Sequence, residues 1–282
     1  MKPTTLSHLQ KKCSEFNGRV GLHALNLQTE VEIAINADES FPTASAIKLP
    51  VLTTLMQQVH DGDTTLDDPI MLRRADKTDG SGLLKSLTPG LTLPIRDWAF
   101  LMMNISDNTA TNVLIDHVGL DNVAAWLDEH DFPDVALHHK LVLDAVKDDL
   151  YHFGSATPRG LSRLLTAVHR RDLVSPDLCD EMLRMMDGVG SNRVGRYLPF
   201  APWGKDVAED EKLHLAGKTG SFKGCRVQTA VVWHGGWRDN NGFVLTVMTE
   251  GDPAPETWSV DAAGVLLIGR LAQIVYDSIF AE

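Results

Sequence analysis

Ser45 and Lys48 lie three residues apart at the start of an apolar stretch, and their side chains suit acyl-transfer chemistry. On a helix, side chains at positions i and i+3 are neighbours. A serine hydroxyl is a weak nucleophile at neutral pH and needs a base beside it. A lysine can be that base when burial or nearby positive charge lowers its pKa. Because a Ser-x-x-Lys spacing arises about once by chance in a chain of this length, it becomes informative only in company.

Two further motifs accompany Ser-x-x-Lys in this chain and make it informative. Ser-Asp-Asn at 106–108 follows the apolar run RDWAFLMMNI, and Lys-Thr-Gly-Ser at 218–221 precedes the strand-like run CRVQTAVVW. The three motifs, in this order, form a known signature. On these residues the chain resembles the class A β-lactamase superfamily of serine hydrolases, which is similar to the penicillin-binding proteins. The resemblance runs from about Arg19 to the C-terminal helix and includes the stretches ASAIKLPVL, SDNTATNVLID, RVGRYLP and GKTGSFKGCRV.

The resemblance implies four catalytic residues. Ser45 would be the nucleophile and Lys48 the general base, since the surrounding AIKLPVL favours burial of the lysine and a lowered pKa. Ser106 would pass a proton to the leaving nitrogen, and Lys218 would add positive charge to the cleft. Asn108 would orient Lys48 or the substrate amide. Without the resemblance, Ser45 would be interpreted as a helix N-cap, and the Ser-Asp-Asn motif also suits a cap before TATNVLID.

The remaining predicted site residues bind substrate. Thr219 and Ser221 would donate hydroxyl hydrogen bonds to a substrate carboxylate, and Gly220 would let the strand backbone approach the ligand. The backbone N–H groups of Ser45 and Ser221 would form the oxyanion hole, in which one donor typically stabilises the transition state by about 3 kcal/mol. Arg226, expected on the same strand as Ser221, either reaches an anionic group or forms a structural ion pair.

A glutamate expected from the resemblance is missing. Class A β-lactamases carry Glu-x-x-Leu-Asn in a loop before a helix start that reads SATPRG here, and its glutamate activates the deacylating water. This chain has no glutamate between Glu129 and Glu181, where Asp144, Asp148 and Asp149 are the available carboxylates. Asp144 lies nearest the expected position and is the candidate deacylation base, with a structural role as the alternative. We therefore expect ready acylation and slow release.

Composition excludes some partners. At 282 residues with 43% hydrophobic and 23% charged residues, the chain is typical of a globular protein with a sizeable core. Its net charge of −12 opposes binding to nucleic acid or to an anionic membrane. Three isolated cysteines without metal-type spacing indicate reduced thiols. We expect a small, anionic substrate, no cofactor, no metal, and a monomer or weak dimer.

The N-terminus carries no signal-peptide pattern, so the chain as given is expected in the cytoplasm, or in the periplasm or outside the cell if a leader was removed. No apolar run is expected to reach membrane-spanning length.

The fold class expected is α/β (α+β), in one catalytic domain over 1–282. Residues 4–16 predict a helix, 18–37 a hairpin, and 43–60 a helix that ends at Asp-Gly-Asp. Helical spacing dominates the middle, and strands return late, before an apolar-striped C-terminal helix. The pattern predicts an antiparallel sheet from residues 1–40 and 210–282, flanked by helices, with an all-helical part over 41–209 and the cleft at their junction.

Three functions remain open at this point. The leading one is hydrolysis of a β-lactam or related amide through an acyl-enzyme at Ser45. The second is an esterase or a penicillin-binding, DD-peptidase-like enzyme. The third is a non-catalytic protein that uses the same fold to bind or sense a ligand.

Overall fold

Strands lie towards both ends of the chain, and most helices lie between them. The structure, a computed structural model, describes residues 3–199, 208, 211–237 and 239–280. In that part of the chain the strands are β1 (Arg19–Asn26), β2 (Glu32–Ile35), β3 (Phe41–Pro42), β4 (Pro69–Met71), β5 (Thr92–Pro94), β6 (Val135–Leu137), β7 (Gly154–Ala156), β8 (Leu213–Phe222), β9 (Cys225–His234) and β10 (Gly242–Glu250). The α-helices are α1 (Pro3–Ser14), α2 (Lys48–Asp61), α3 (Ile95–Asn104), α4 (Asn108–Val118), α5 (Leu120–Glu129), α6 (Leu143–Asp148), α7 (Pro158–Arg170), α8 (Pro176–Met185) and α9 (Ala263–Phe280).

The main sheet joins the two ends of the chain. Its strand order is β2-β1-β10-β9-β8, and each neighbouring pair is antiparallel. The predicted N-terminal hairpin is β1 and β2, and the late strands are β8, β9 and β10. The predicted sheet from both termini is therefore confirmed.

Each face of the main sheet covers a hydrophobic core. Because side chains alternate between faces along a strand, β10 sends Phe243, Leu245 and Val247 to one core and Val244 and Met248 to the other. The first core lies under α1 and α9. The second continues into the helical part of the chain.

The inserted part is mainly helical and also carries two small sheets, β3-β7-β6 and β4-β5, which corrects the expectation of an all-helical part. Three of the helices described in this part, α4, α7 and α8, begin at side-chain caps: Asp107 accepts a hydrogen bond from Ala110 N, Thr157 from Gly160 N, and Ser175 from Leu178 N. The Asp107 carboxylate also accepts from the N–H groups of Leu83 and Leu84, so it ties a separate loop to the start of α4.

The C-terminal helix α9 is the one helix in the described residues long and apolar enough to cross a membrane, by length and composition alone, which the sequence did not lead us to expect. In the fold it packs against the sheet and α1, with residues such as Ile268 and Leu271 fully buried. The buried apolar residues of α9 therefore form part of the hydrophobic core.

A buried aromatic cluster lies where α7 meets the sheet. The rings of Trp233 and His169 have centroids 5.2 Å apart, and those of Trp233 and His214 are stacked at 4.9 Å. Trp237 contacts Trp233 edge-on at 5.5 Å. Burial lowers the pKa of His169 to about 4, against an ordinary value of 6.5.

We expect this histidine to lower the stability of the folded protein as the pH falls from 6.5 to 4. In that window the unfolded chain binds a proton at His169 and the folded protein does not, so protonation favours unfolding. At the acid end of this window, the full pKa shift lowers the free energy of unfolding by about 3 kcal/mol. Urea unfolding at several pH values should show a flatter dependence in His169→Gln than in the wild type. The exposed control His8→Gln should keep the wild-type dependence, and an unchanged slope in His169→Gln would contradict the assignment.

Candidate active site

Ser45 lies on a tight turn that precedes α2. Residues Ala44–Ile47 form a 3-10 helix, and the backbone N–H of Lys48 donates to Ser45 O and Ala46 O. Ala44 has a left-handed φ of 44°, so the single helix expected over 43–60 starts later than predicted. Side chains at i and i+3 eclipse one another in a 3-10 helix, so the turn places Ser45 and Lys48 on the same side. Residues with a left-handed backbone, such as Ala44, cluster at functional sites.

Lys48 connects the serine turn with the Ser-Asp-Asn motif. Its Nζ lies 2.9 Å from Ser106 O, 3.0 Å from Ser106 Oγ and 3.1 Å from Asn108 Oδ1. Asn108 Nδ2 donates to Asp79 O, which fixes the orientation of the amide. Ser106 has a left-handed φ of 58°, and this conformation presents both its carbonyl and its hydroxyl to Lys48.

This arrangement suits a neutral Lys48. The carbonyl of Ser106 and the Oδ1 of Asn108 can only accept, so they take the two N–H groups of a neutral amine. The lone pair is then left for a hydroxyl proton, from Ser106 or from the eclipsed Ser45. Burial, and next the positive charge of Lys218, hold the pKa of Lys48 well below its usual value.

Lys218 is the second buried lysine of the site. Its side chain is fully buried on β8, and Nζ donates to Thr219 O at 3.0 Å. Burial, and then the charge of Arg193, lower the pKa of Lys218 to about 7. Two closely placed lysines with depressed pKa values mark a candidate functional site, and the positive charge of Lys218 favours an anionic ligand.

The edge strand β8 lies directly against the Ser45 turn. A methyl group added at Gly220 would lie 2.6 Å from Thr43 O, closer than side chains tolerate, and 3.0 Å from Ser45 N, which is a tight contact. Glycine is therefore required for this approach. It brings the backbone of β8 at Ser221 beside that of Ser45, as an oxyanion hole built from their two N–H groups requires.

Arg193 is a site residue that the sequence analysis missed. Its guanidinium donates to Ser221 Oγ at 2.7 Å and to the carbonyls of Gly220 and Val227, both at 2.9 Å. Burial, and then the charge of Arg226, lower the pKa of Arg193 to about 10, so it remains cationic at neutral pH. The only signal was its place in RVGRYLP, one of the stretches that carried the resemblance.

Arg226 corrects a prediction. It lies on β9 rather than on the strand of Ser221, because the chain turns at Lys223 and Gly224, where Gly224 has a φ of 68°. Its guanidinium is buried and donates to the carbonyls of Phe222, Cys225 and Thr257. Arg226 therefore joins backbone segments, and its guanidinium does not reach the cleft to bind an anionic group of the substrate.

Asp144 corrects a second prediction. Its side chain is 90% exposed and pairs with Lys147 at 2.6 Å. A hydrogen bond from Lys147 lowers the pKa of Asp144, which weakens it as a base. Asp144 therefore points to solvent, and the structure does not bring it to Ser45 as a deacylation base.

Leu141 lies at the place in this loop that faces the cleft. Asn112, one turn after the Ser-Asp-Asn motif, donates from Nδ2 to Leu141 O and accepts from Leu141 N, both at 2.9 Å. These two bonds fix the backbone of Leu141. Its side chain is buried and lines the cleft, as does that of Leu143. The loop expected to carry a base therefore presents leucines.

The cleft between the two parts has a volume of about 970 Å³, and Ser45, Asn108 and Ser221 line one end of it. Among the described residues, no group of three or more His, Cys, Asp or Glu side chains is placed to hold a metal ion.

An antiparallel sheet joined to a helical part, with a serine and two buried lysines at the junction, defines the class of serine β-lactamase-like proteins. The chain belongs to the beta-lactamase enzyme family, whose sequence model matches residues 5–279. This confirms the resemblance stated from the motifs.

Similar proteins agree with this assignment. A beta-lactamase structure from Sphaerobacter thermophilus is 28% identical, with a TM-score of 0.85 over 99% of this chain and 98% of that one. Beta-lactamase VEB-1 from Pseudomonas aeruginosa is 25% identical over 191 residues, which span 65% of this chain and 64% of the relative. A structure of PBP-A shares the fold, with a TM-score of 0.81, 24% identity, and coverage of 98% of this chain and 96% of that one.

Proposed function

We propose that this protein is a serine hydrolase that opens the amide bond of β-lactams, or of a related amide or ester, through an acyl-enzyme at Ser45. The observation that carries the proposal is the buried Lys48 amine, which lies on the serine side of the cleft and is bound to Ser106 and Asn108. The names of the relatives support β-lactams as the substrate class.

Acylation can be written with the residues at hand. The Oγ of Ser45 attacks the carbonyl carbon while its proton passes to the neutral Nζ of Lys48. The C–O bond forms, the C–N bond breaks, and Ser106 Oγ delivers its proton to the leaving nitrogen. Lys48 then returns a proton to Ser106 Oγ across the 3.0 Å contact between them. The N–H groups of Ser45 and Ser221 stabilise the oxyanion.

The substrate carboxylate would lie at the cationic end of the cleft. Arg193 positions the hydroxyl of Ser221, and Lys218 supplies a positive charge on the same strand. Thr219 and Ser221 then donate their hydroxyl groups to the carboxylate. This places the scissile carbonyl between Ser45 and the edge of β8.

Release of the acyl group is expected to be slow. Hydrolysis of the acyl-enzyme needs a base to take a proton from water as its oxygen attacks the ester carbon. The carboxylates lining the cleft are already engaged: Glu250 accepts from Arg19, Asp252 from the N–H groups of Ala254 and Gly264, and Glu256 pairs with Lys223. Slow release is equally compatible with a penicillin-binding, DD-peptidase-like enzyme.

Mass spectrometry after mixing with penicillin G tests the proposal. We expect a covalent adduct of one penicillin G on the wild type, located on Ser45, and none on Ser45→Ala. The variant Ser86→Ala, outside the cleft lining, should form the adduct as the wild type does. If no adduct forms with penicillin G or with an activated p-nitrophenyl ester, the enzyme proposal fails and a non-catalytic ligand-binding protein is favoured.

A further inference from the structure

The cleft continues beyond the serine into a compartment with apolar walls. On the side of the sheet it is lined by Phe222, Pro255 and Trp258. The opposite wall is formed by the loop and short helix that carry Leu143 and Leu150. We name this region, formed by Leu143, Val146, Leu150, Phe222, Pro255 and Trp258, the apolar compartment.

Trp258 is the most unusual member of the apolar compartment. It lies in the connection between β10 and α9 and is 58% exposed, although large aromatic side chains are normally well buried. One face of its indole lies over the Arg226 guanidinium, with Cζ 5.0 Å from the ring. Because Arg226 is held by three backbone carbonyls, this contact gives the indole a fixed support.

Charged side chains also line this end of the cleft, but each has a partner within the protein. Glu250 is bound by Arg19 and Tyr151, and Asp252 by two backbone N–H groups. The remaining charges form two ion pairs, Lys147 with Asp144 and Lys223 with Glu256. These groups therefore offer little to a charged ligand group, which would have to break an existing pair to be bound.

From these observations we propose that the apolar compartment selects substrates whose acyl part carries a neutral aromatic or branched aliphatic group, with Trp258 as the specificity-determining contact. This inference rests on the proposed acylation at Ser45. Such a substrate has two ends: a carboxylate at Lys218 and Ser221, and an apolar group against Trp258. Burying an aromatic group against an indole contributes enough for about a tenfold preference.

Acylation kinetics with two penicillins test this proposal. Penicillin G carries a benzyl side chain, and 6-aminopenicillanic acid has the same ring system and carboxylate without it. We expect the second-order acylation rate constant of Trp258→Ala for penicillin G to fall about tenfold, and that for 6-aminopenicillanic acid to stay unchanged. Trp258→Phe should retain most of the penicillin G rate constant. Phe100→Ala, an exposed aromatic residue outside the cleft, is the matched control.

The outcomes separate the two proposals. If neither compound acylates the wild type, the proposed function fails. If both acylate it and Trp258→Ala changes both rate constants equally, or neither, the apolar compartment does not select substrate and this inference is overturned. Ampicillin, whose ammonium would enter the same compartment, should acylate the wild type more slowly than penicillin G. The opposite order would also contradict a compartment selective for neutral groups.

Discussion

Leu141→Glu is expected to raise the rate of acyl-enzyme hydrolysis by at least about 100-fold, because one positioned general base typically contributes 10²–10⁴-fold. Two hydrogen bonds with the side chain of Asn112, one donated and one accepted by it, already fix the backbone of Leu141. The side chain of Leu141 lines the same cleft as Ser45. A carboxylate there would reach the water that attacks the ester carbon. Stopped-flow with nitrocefin separates the burst of acylation from the steady rate that reports hydrolysis.

Leu141→Gln is the matched control, because glutamine is polar and has the same length as glutamate but cannot accept the proton as a base. It should leave the steady rate near that of the wild type. Both variants place a polar group at a buried position, so both should lower the melting temperature, and the charged glutamate should lower it more. If glutamine accelerates hydrolysis as much as glutamate, better access of water rather than base catalysis is responsible. If the wild type itself turns over hundreds of times per second without a burst, another base is at work.

The motif residues could be predicted because each motif is local. Ser45 and Lys48 are neighbours on one turn, and Lys218 and Ser221 share one strand, so spacing alone brings them together. Placing the motifs against one another needed the topology, which followed from strand signals at both ends of the chain and helical periodicity between them. The predicted sheet and helical insertion were therefore accessible from the sequence.

The errors arose where the outcome depends on contacts between distant segments. Arg193 reaches the site through carbonyls on two strands more than 25 positions later, and no local pattern encodes that. Arg226 was assigned to the wrong strand because the turn at Lys223 and Gly224 was not recognised, although a glycine between two apolar runs is a turn signal. Asp144 was chosen as the carboxylate nearest the expected position, but its side chain is exposed, and the loop position that faces the cleft is occupied by Leu141.

Lys48→Met is expected to lower the acylation rate constant by about 10²–10⁴-fold, the usual contribution of a general base. Methionine has a similar unbranched apolar stem and lacks only the terminal amine position of lysine, so the buried position stays largely filled and the loss of rate reports the amine. In the wild type, acylation should rise with pH as Lys48 loses its proton. Since burial and Lys218 depress the pKa of Lys48, this rise should occur well below the ordinary lysine value of 10.5.

For an anionic β-lactam the profile should then fall again near pH 7. The charge of Lys218 is needed to bind the carboxylate, and its pKa of about 7 means that the charge is lost above that pH. Because the two lysines interact, the limbs of this bell-shaped profile belong to the pair rather than to either residue. A neutral p-nitrophenyl ester has no carboxylate to bind, so its profile should keep the rising limb and lack the falling one. If ester and β-lactam give the same falling limb, Lys218 acts in the chemical step instead of in binding; if Lys48→Met keeps the rising limb, Lys48 is not the base.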